Sequence, residues 1–265
     1  MLNALTVIFP TFNEKTNLEK LIPEVLAASW VFNPKDLKVL VVDDNSTDGT
    51  LHLLREFAKH DSRFSYLLRS GNPSLPKSIW DGISAATTEY VAWLDADGSM
   101  PIKDLVKFTL MARTQALDVV IGSRFVSGGG FKGLNEVGKT SIRDFYSNLR
   151  GSQDSFLAVI LSRVLNRFLR LILRSGVKDL TSGFMVARKA LILEKDFHAA
   201  YGDYCPILIR RLYLRGAKMQ EVGYLCLPRE FGESKTGSSL IAYLRRGFPY
   251  IAKSLLEVMK KDSPK

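Results

Sequence analysis

Lys38-Val39-Leu40-Val41-Val42 runs straight into Asp43-Asp44-Asn45-Ser46-Thr47-Asp48-Gly49, and the junction between these two stretches decides the fold. A continuous, largely β-branched apolar run suits a strand buried on both faces, as in parallel sheets. The polar turn formers then stop the strand, and Leu51, Leu54, Phe57 and Ala58 follow at helical spacing. The same unit recurs on either side. Residues 5–9, 64–68, 90–94 and 118–122 read as further strands, and residues 16–28, 75–86 and 102–115 read as helices. This alternation predicts an α/β fold, a mostly parallel sheet with helices on both faces. Ligands of such sheets sit at the carboxyl ends of the strands. The acidic clusters at 43–48 and 95–97 fall at those ends.

The 265 residues are 46% hydrophobic and 24% charged, which fits a globular domain and excludes a disordered or collagen-like chain. The net charge of +10 is concentrated in two segments. Residues 139–178 carry eight Lys/Arg against two acids, and residues 228–265 carry eight against four. The remainder is balanced, so the excess points to an anionic partner: nucleic acid, a membrane surface or a phosphorylated substrate. Two cysteines, Cys205 and Cys226, make neither a disulfide framework nor a four-ligand zinc site, and a reducing compartment is expected. The longest uncharged run, residues 1–13, is short of the ~20 apolar residues a spanning helix needs, and it lacks signal-peptide flanks.

Past Gly128-Gly129-Gly130, read as a flexible opening, the pattern changes. Residues 156–174 form a very apolar helix carrying Arg163, Arg167, Arg170 and Arg174 at spacings that share one face. It is either packed on its apolar side or laid on a membrane interface. Residues 238–261 are amphipathic and basic, with Gly247 and Pro249 expected to break the helix. One catalytic domain over 1–237 and a basic appendage over 238–265 account for the chain.

Asp95-Ala96-Asp97 follows a buried strand, so two carboxylates can flank one divalent cation. Hard oxygen donors select Mg²⁺ or Mn²⁺ and leave positions open for diphosphate oxygens. The cluster at 43–48 can accept hydrogen bonds from a base or ribose, or cap a helix through Asn45, Ser46 or Thr47.

Together with these, Phe9-Pro10-Thr11-Phe12-Asn13-Glu14, Leu94-Asp95-Ala96-Asp97 and Gly122-Ser123-Arg124-Phe125 resemble the inverting family-2 glycosyltransferases with a GT-A fold. Ser162-Arg163-Val164-Leu165-Asn166, Asp179-Leu180-Thr181-Ser182-Gly183-Phe184 and Arg229-Glu230-Phe231-Gly232-Glu233-Ser234-Lys235 look like the dolichol-phosphate mannosyltransferase-like branch, which loads a sugar onto a polyprenyl phosphate. The resemblance spans about residues 5–240, and residues 133–155 look like an insertion relative to compact members. Met185 stands where the family frequently has Arg, and Gly202-Asp203-Tyr204 resembles a Gly-Glu-Tyr variant.

The resemblance implies that Pro10, Phe12, Glu14, Asp44, Asp95 and Ala96 contact the nucleotide. Asp95, Asp97 and Ser99 would hold the metal, Mg²⁺ or Mn²⁺. Arg124 and Arg163 would face the acceptor phosphate, and Arg229 and Lys235 would clamp phosphate oxygens; Asp97, Arg124 and Arg163 are the catalytic set. The implied partners are a GDP- or UDP-hexose donor, a polyprenyl (dolichyl or undecaprenyl) phosphate and the membrane surface. An integral-membrane partner fits, nucleic acid does not, and the implied location is peripheral on the cytoplasmic face. Mannose and glucose are the favoured sugars. Three rivals are weighed: a family-2 transferase acting on a soluble or polysaccharide acceptor with Asp203 as base, a nucleic-acid-binding protein, and a silent nucleotide-sugar-binding subunit.

Overall fold

The computed structural model describes residues 4–28, 36–131, 135–136, 153–228 and 240–260. Among them the chain alternates β1 (Leu5–Thr11), α1 (Lys15–Ala27), β2 (Leu37–Asp43), α2 (Thr50–His60), β3 (Phe64–Leu68), α3 (Leu75–Ala85), β4 (Tyr90–Trp93), α4 (Ile102–Thr114) and β5 (Val119–Ser123). Two short strands follow, β6 (Gly130–Phe131) and β7 (Asn135–Glu136), then the long helix α5 (Gln153–Leu173). The chain closes with β8 (Met185–Arg188), α6 (Tyr204–Leu214), β9 (Met219–Gly223), β10 (Leu225–Cys226) and α7 (Leu240–Met259).

Seven strands form one sheet in the order β3-β2-β1-β4-β8-β5-β9. All pairings are parallel except those of β8, which runs antiparallel between β4 and β5. β1 and β2 read as fully or almost fully buried apolar runs because both faces of the sheet are covered. One core packs Leu18, Ile22, Leu54, Leu105 and Phe108 of α1, α2 and α4 on one face. The other packs Ile79, Ile83, Leu169, Leu173, Leu208 and Leu212 of α3, α5 and α6 on the opposite face.

β1 pairs with β2 on one side and β4 on the other, which makes the β1/β4 boundary the point where strand order reverses. A crevice opens there at the carboxyl ends, the general ligand position in open α/β sheets.

Three local expectations change. Gly128–Gly130 is a close approach rather than a loose opening: a Cβ on Gly129 would lie 2.4 Å from the Ser123 carbonyl oxygen. α2 is led by Gly49 in the left-handed region (φ 92°), with no side-chain cap from Asn45, Ser46 or Thr47. α7 is not broken at Gly247 and Pro249, which both lie inside it. Packing overrides the lost hydrogen bond: Tyr250 and Ile251 sit against the second core, Leu165 of α5 lies 3.9 Å from where a Gly247 Cβ would be, and Glu257 pairs with Arg211 of α6. The insertion at 133–155 lies outside the described residues except for Asn135, Glu136 and the first residues of α5.

Candidate active site

The crevice at the β1/β4 boundary is a cleft of about 350 Å³ lined by Pro10, Phe12, Glu14, Asp44, Asp95, Ala96 and Asp97. These are the six residues expected at the nucleotide and the second metal carboxylate. Thr11, Pro73, Ser74, Leu75, Ala200 and Tyr201 complete its walls.

Strand ends and loops position each group. Pro10 and Phe12 leave β1, whose exit is laced to the β2 exit: Asn13 N–H donates to Ser46 Oγ (2.7 Å), and Thr47 N–H donates to Asn13 Oδ1 (2.8 Å). The acidic cluster at 43–48 divides its labour. Asp43 accepts from the Ser46 amide and hydroxyl (3.0 and 2.5 Å). Asp48 accepts from the amides of Lys15 and Thr50 (both 3.0 Å) and from the Thr50 hydroxyl. Burial opposes its charge, but those donors outweigh burial and hold its carboxyl below the ordinary value. Only Asp44 of the three reaches the cleft. It is fixed by an ion pair with Arg69, by the Ser74 amide (2.9 Å) and by the Ser78 hydroxyl (2.7 Å).

Asp95 and Asp97 lie just past β4. Asp97 is buried and accepts the Ser99 amide (3.0 Å), and the Ser99 carbonyl accepts from Leu227 N–H (3.0 Å). Ser99 is buried behind the pair and does not line the cleft. Two lining carboxylates form a hard oxygen donor set that fits Mg²⁺ or Mn²⁺ completed by substrate oxygens and water. Among the described residues no group of three or more His, Cys, Asp and Glu is placed to hold an ion by itself. Three hydroxyl and thiol groups nearby hold their protons more tightly than usual. Burial above all, with Asp95 adding to it, pushes the Tyr204 hydroxyl well above its ordinary value. Burial likewise pushes the Cys205 thiol up to about 12 and raises Cys226.

Arg124 and Arg163 do not line this cleft. Arg124 leaves the carboxyl end of β5 and forks onto the fully buried Asp179 through Nε (2.7 Å) and Nη2 (2.8 Å), with Thr181 Oγ1 at 3.0 Å. Burial works against its charge, but Asp179 more than compensates and holds its pKa far above the usual value. Asp179 is itself oriented through its amide, which donates to Glu221 (2.8 Å), and Asn166 of α5 binds Thr181 and the Leu180 amide. The Asp179–Ser182 segment is thus the brace behind Arg124.

Arg163 faces a second cavity of about 490 Å³, with Phe125, Asn166, Arg167, Arg170 and Lys178. The Phe125 ring is shared by Arg124 (5.4 Å) and Arg163 (5.8 Å). Arg174 is not part of this stripe, because α5 ends at Leu173 and Arg174 turns into the left-handed region (φ 50°). Arg229 and Lys235 lie outside the described residues.

Arg69, Ser74, Ala200 and Tyr201 were not legible as site residues. The signal for Arg69 and Ser74 is their place after β3, at the same carboxyl edge; nothing in sequence brings residues 200–201 to it. Asp203 is buried beneath that loop, paired with Lys253 (2.7 Å) and accepting from the Tyr201 amide (2.7 Å).

A mostly parallel sheet of reversed strand order, with an Asp-x-Asp pair at its switch-point cleft, has the architecture of the GT-A fold. Residues 6–193 match Glycosyl transferase family 2, and the chain belongs to that family and is a glycosyltransferase. It is 29% identical over 242 residues to a polyprenol monophosphomannose synthase of Mycolicibacterium smegmatis, covering 89% of this chain and 82% of that protein. It is 28% identical over 245 residues to a dolichol-phosphate mannosyltransferase of Pyrococcus furiosus, covering 91% of this chain but 62% of that protein. In fold it resembles glucosyl-3-phosphoglycerate synthase from Mycobacterium tuberculosis in complex with Mn²⁺, UDP and glucosyl-3-phosphoglycerate. The TM-score is 0.63 at 17% identity, over 98% of this chain and 81% of that one. The same enzyme with Mn²⁺, UDP-glucose and glycerol 3-phosphate gives 0.62 at 18% identity, over 98% and 82%.

Proposed function

We propose that the protein moves a hexose, mannose or glucose, from a nucleotide-diphospho-sugar to a polyprenyl phosphate, with inversion, at the cytoplasmic face of a membrane. One observation carries this reading. The carboxyl edge of one sheet presents a cleft with Asp95 and Asp97 and, beside β5, a cavity walled by Arg163, Arg167, Arg170 and Lys178 with no lining carboxylate among the described residues. The first suits a donor diphosphate with its metal, the second an anionic acceptor. The names of the two relatives, a polyprenol monophosphomannose synthase and a dolichol-phosphate mannosyltransferase, support the same acceptor.

Pro10, Phe12, Glu14, Asp44 and Ala96 bind the nucleoside end, and Asp95 and Asp97, with Ser99 behind them, hold Mg²⁺ or Mn²⁺. The ion, when bound, supplies Lewis-acid stabilisation of the departing diphosphate. Arg163 holds the acceptor phosphate, with Arg124 stacked on the same Phe125 ring, and Arg229 and Lys235 belong to this phosphate set by motif. A phosphomonoester is already anionic near neutrality, its second pKa being about 6. It needs alignment and charge neutralisation, not a general base. A neutral hydroxyl acceptor would need one, and Asp203, the carboxylate offered for that role by sequence, is taken by Lys253 and the Tyr201 amide.

Among the described residues no helix is long and apolar enough to cross a membrane. Instead, α5 exposes Ile160, Val164, Phe168 and Leu171, and α7, packed against it, exposes Phe248, Leu255, Leu256 and Met259. Apolar side chains beside basic ones are the composition of an interfacial surface. An integral-membrane partner would dock on the same face.

The test is a panel of radiolabelled GDP- and UDP-sugars incubated with an extractable polyprenyl phosphate and Mg²⁺. Label in the lipid phase from one donor, with the anomeric configuration inverted, supports the reading. Retained configuration, or label found only on a soluble acceptor, contradicts it.

A further inference from the structure

The loop that forms one wall of the donor cleft is anchored from outside the cleft, by the C-terminal helix. Ala200 and Tyr201 line the cleft. Their amides donate to the carboxylate of Asp203, which does not line the cleft: Tyr201 N–H to Oδ1 at 2.7 Å and Ala200 N–H to Oδ2 at 3.4 Å. Asp203 is 1% exposed, and its cation comes from α7: Lys253 Nζ lies 2.7 Å from Oδ2 and donates to the His198 carbonyl at 3.2 Å. One ammonium thus ties both ends of the 198–203 loop. Tyr250, one turn earlier on α7, closes over the same loop. Its hydroxyl sits where a Gly202 Cβ would come within 2.3 Å, so only glycine admits this contact.

Other inward residues of α7 hold elsewhere. Glu257 pairs with Arg211 of α6 at 2.6 and 2.7 Å, and Ser254 is fully buried. The opposite side of the helix carries the exposed Leu255, Leu256 and Met259.

We propose that Lys253 and Tyr250 are positioning residues for the donor: acting through Asp203 and Gly202, they fix the Ala200–Tyr201 wall of the nucleotide cleft. This rests on the reading of the cleft as the donor site. A carboxylate buried without its cation is costly, so Asp203 keeps its place, and its grip on the two amides, only while α7 is seated. The clamp also gives α7 a part in donor binding although none of its described residues lines the cleft.

Calorimetric titration of GDP and UDP with Mg²⁺ into the full chain tests this, with donor KM and kcat measured alongside. Lys253→Met raises the nucleotide Kd and the donor KM about tenfold, the scale of one lost hydrogen bond, while kcat at saturating donor holds. Lys253→Arg restores most of the affinity. Glu257→Gln, which removes the charge of the Arg211 anchor but keeps an acceptor for it, so that α7 stays seated, leaves the Kd unchanged. Amide exchange at 199–202 accelerates in Lys253→Met but not at β1 or β4. An unchanged Kd in a folded Lys253→Met protein overturns the proposal, as does an equal loss in Glu257→Gln, which would reduce the clamp to general attachment of the helix. A wild-type protein that binds neither nucleotide overturns the donor reading itself, and the donor role of the clamp with it.

Discussion

Arg124 and Asp179 show how a motif residue can be legible while its setting is not. The Gly-Ser-Arg-Phe segment marks Arg124, yet its buried partner lies 55 residues away, where only topology brings β5 against the 179–182 segment. Asp179→Asn leaves a largely buried guanidinium without its counter-charge, which costs roughly 3–5 kcal/mol. Urea unfolding should show that loss, and an unchanged midpoint would demote the pair to decoration. Asp97 is legible for a simpler reason: a strand ends, and two carboxylates flank one residue. Asp97→Asn should lower transfer about 100-fold or more with the fold intact by circular dichroism, as should EDTA on the wild type, the range for losing a charge-stabilising group. Ser99→Ala should act more mildly, since Ser99 stands behind the pair and does not line the cleft. The thiols give a pH test. Cys205 ordinarily ionises near 9.0, and burial moves it to about 12, so the nucleophilic thiolate is suppressed in the folded protein. Its raised folded-state value also means that stability is whole below pH 9.0 and declines as pH climbs toward 12. Iodoacetamide at pH 8 should label Cys205 only after unfolding; rapid native labelling would contradict its burial.

At the level of elements, the four strands from β1 to β4 and the three helices between them follow from hydrophobic period alone, because a doubly covered sheet leaves apolar runs that nothing else explains. β8 was invisible: Met185–Arg188 is four residues long, ends in a cation and pairs antiparallel with β4 and β5, a choice set by non-local contacts. The α7 helix misled for the opposite reason, since local breakers at Gly247 and Pro249 yield to packing on α5 and α6. Arg163, Arg167 and Arg170 sit on one helical face as their spacing requires, and all three turn to one cavity. Arg163→Ala and Arg167→Ala should therefore both raise the acceptor KM with donor KM unchanged. The exposed apolar stripe is separable from this. Leu171, 71% exposed, and Met259, 76% exposed, contribute little to the core. Leu171→Asp with Met259→Asp should abolish co-sedimentation with anionic liposomes at low salt while leaving turnover of a short-chain, detergent-soluble acceptor in place. Undiminished sedimentation would rule out the two helices as the membrane face.

Across the whole molecule, strand order does what no single motif can. The reversal at β1/β4 gathers Pro10, Glu14, Asp44, Asp95 and Asp97, distant in sequence, into one cleft, while the carboxyl end of β5 carries Arg124 and Phe125 toward the basic cavity of α5. Composition announced the charge but not its placement; the fold gathers Arg163, Arg167, Arg170 and Lys178 of it around one cavity. The central claim is that the nucleophile is a lipid phosphate. It is tested by offering the protein, with Mg²⁺ and its sugar donor, polyprenyl phosphate and the free polyprenol of the same chain length in parallel, and counting label in the organic phase. The account predicts transfer to the phosphate and none to the alcohol; equal labelling of the two, or labelling of the alcohol alone, would contradict it.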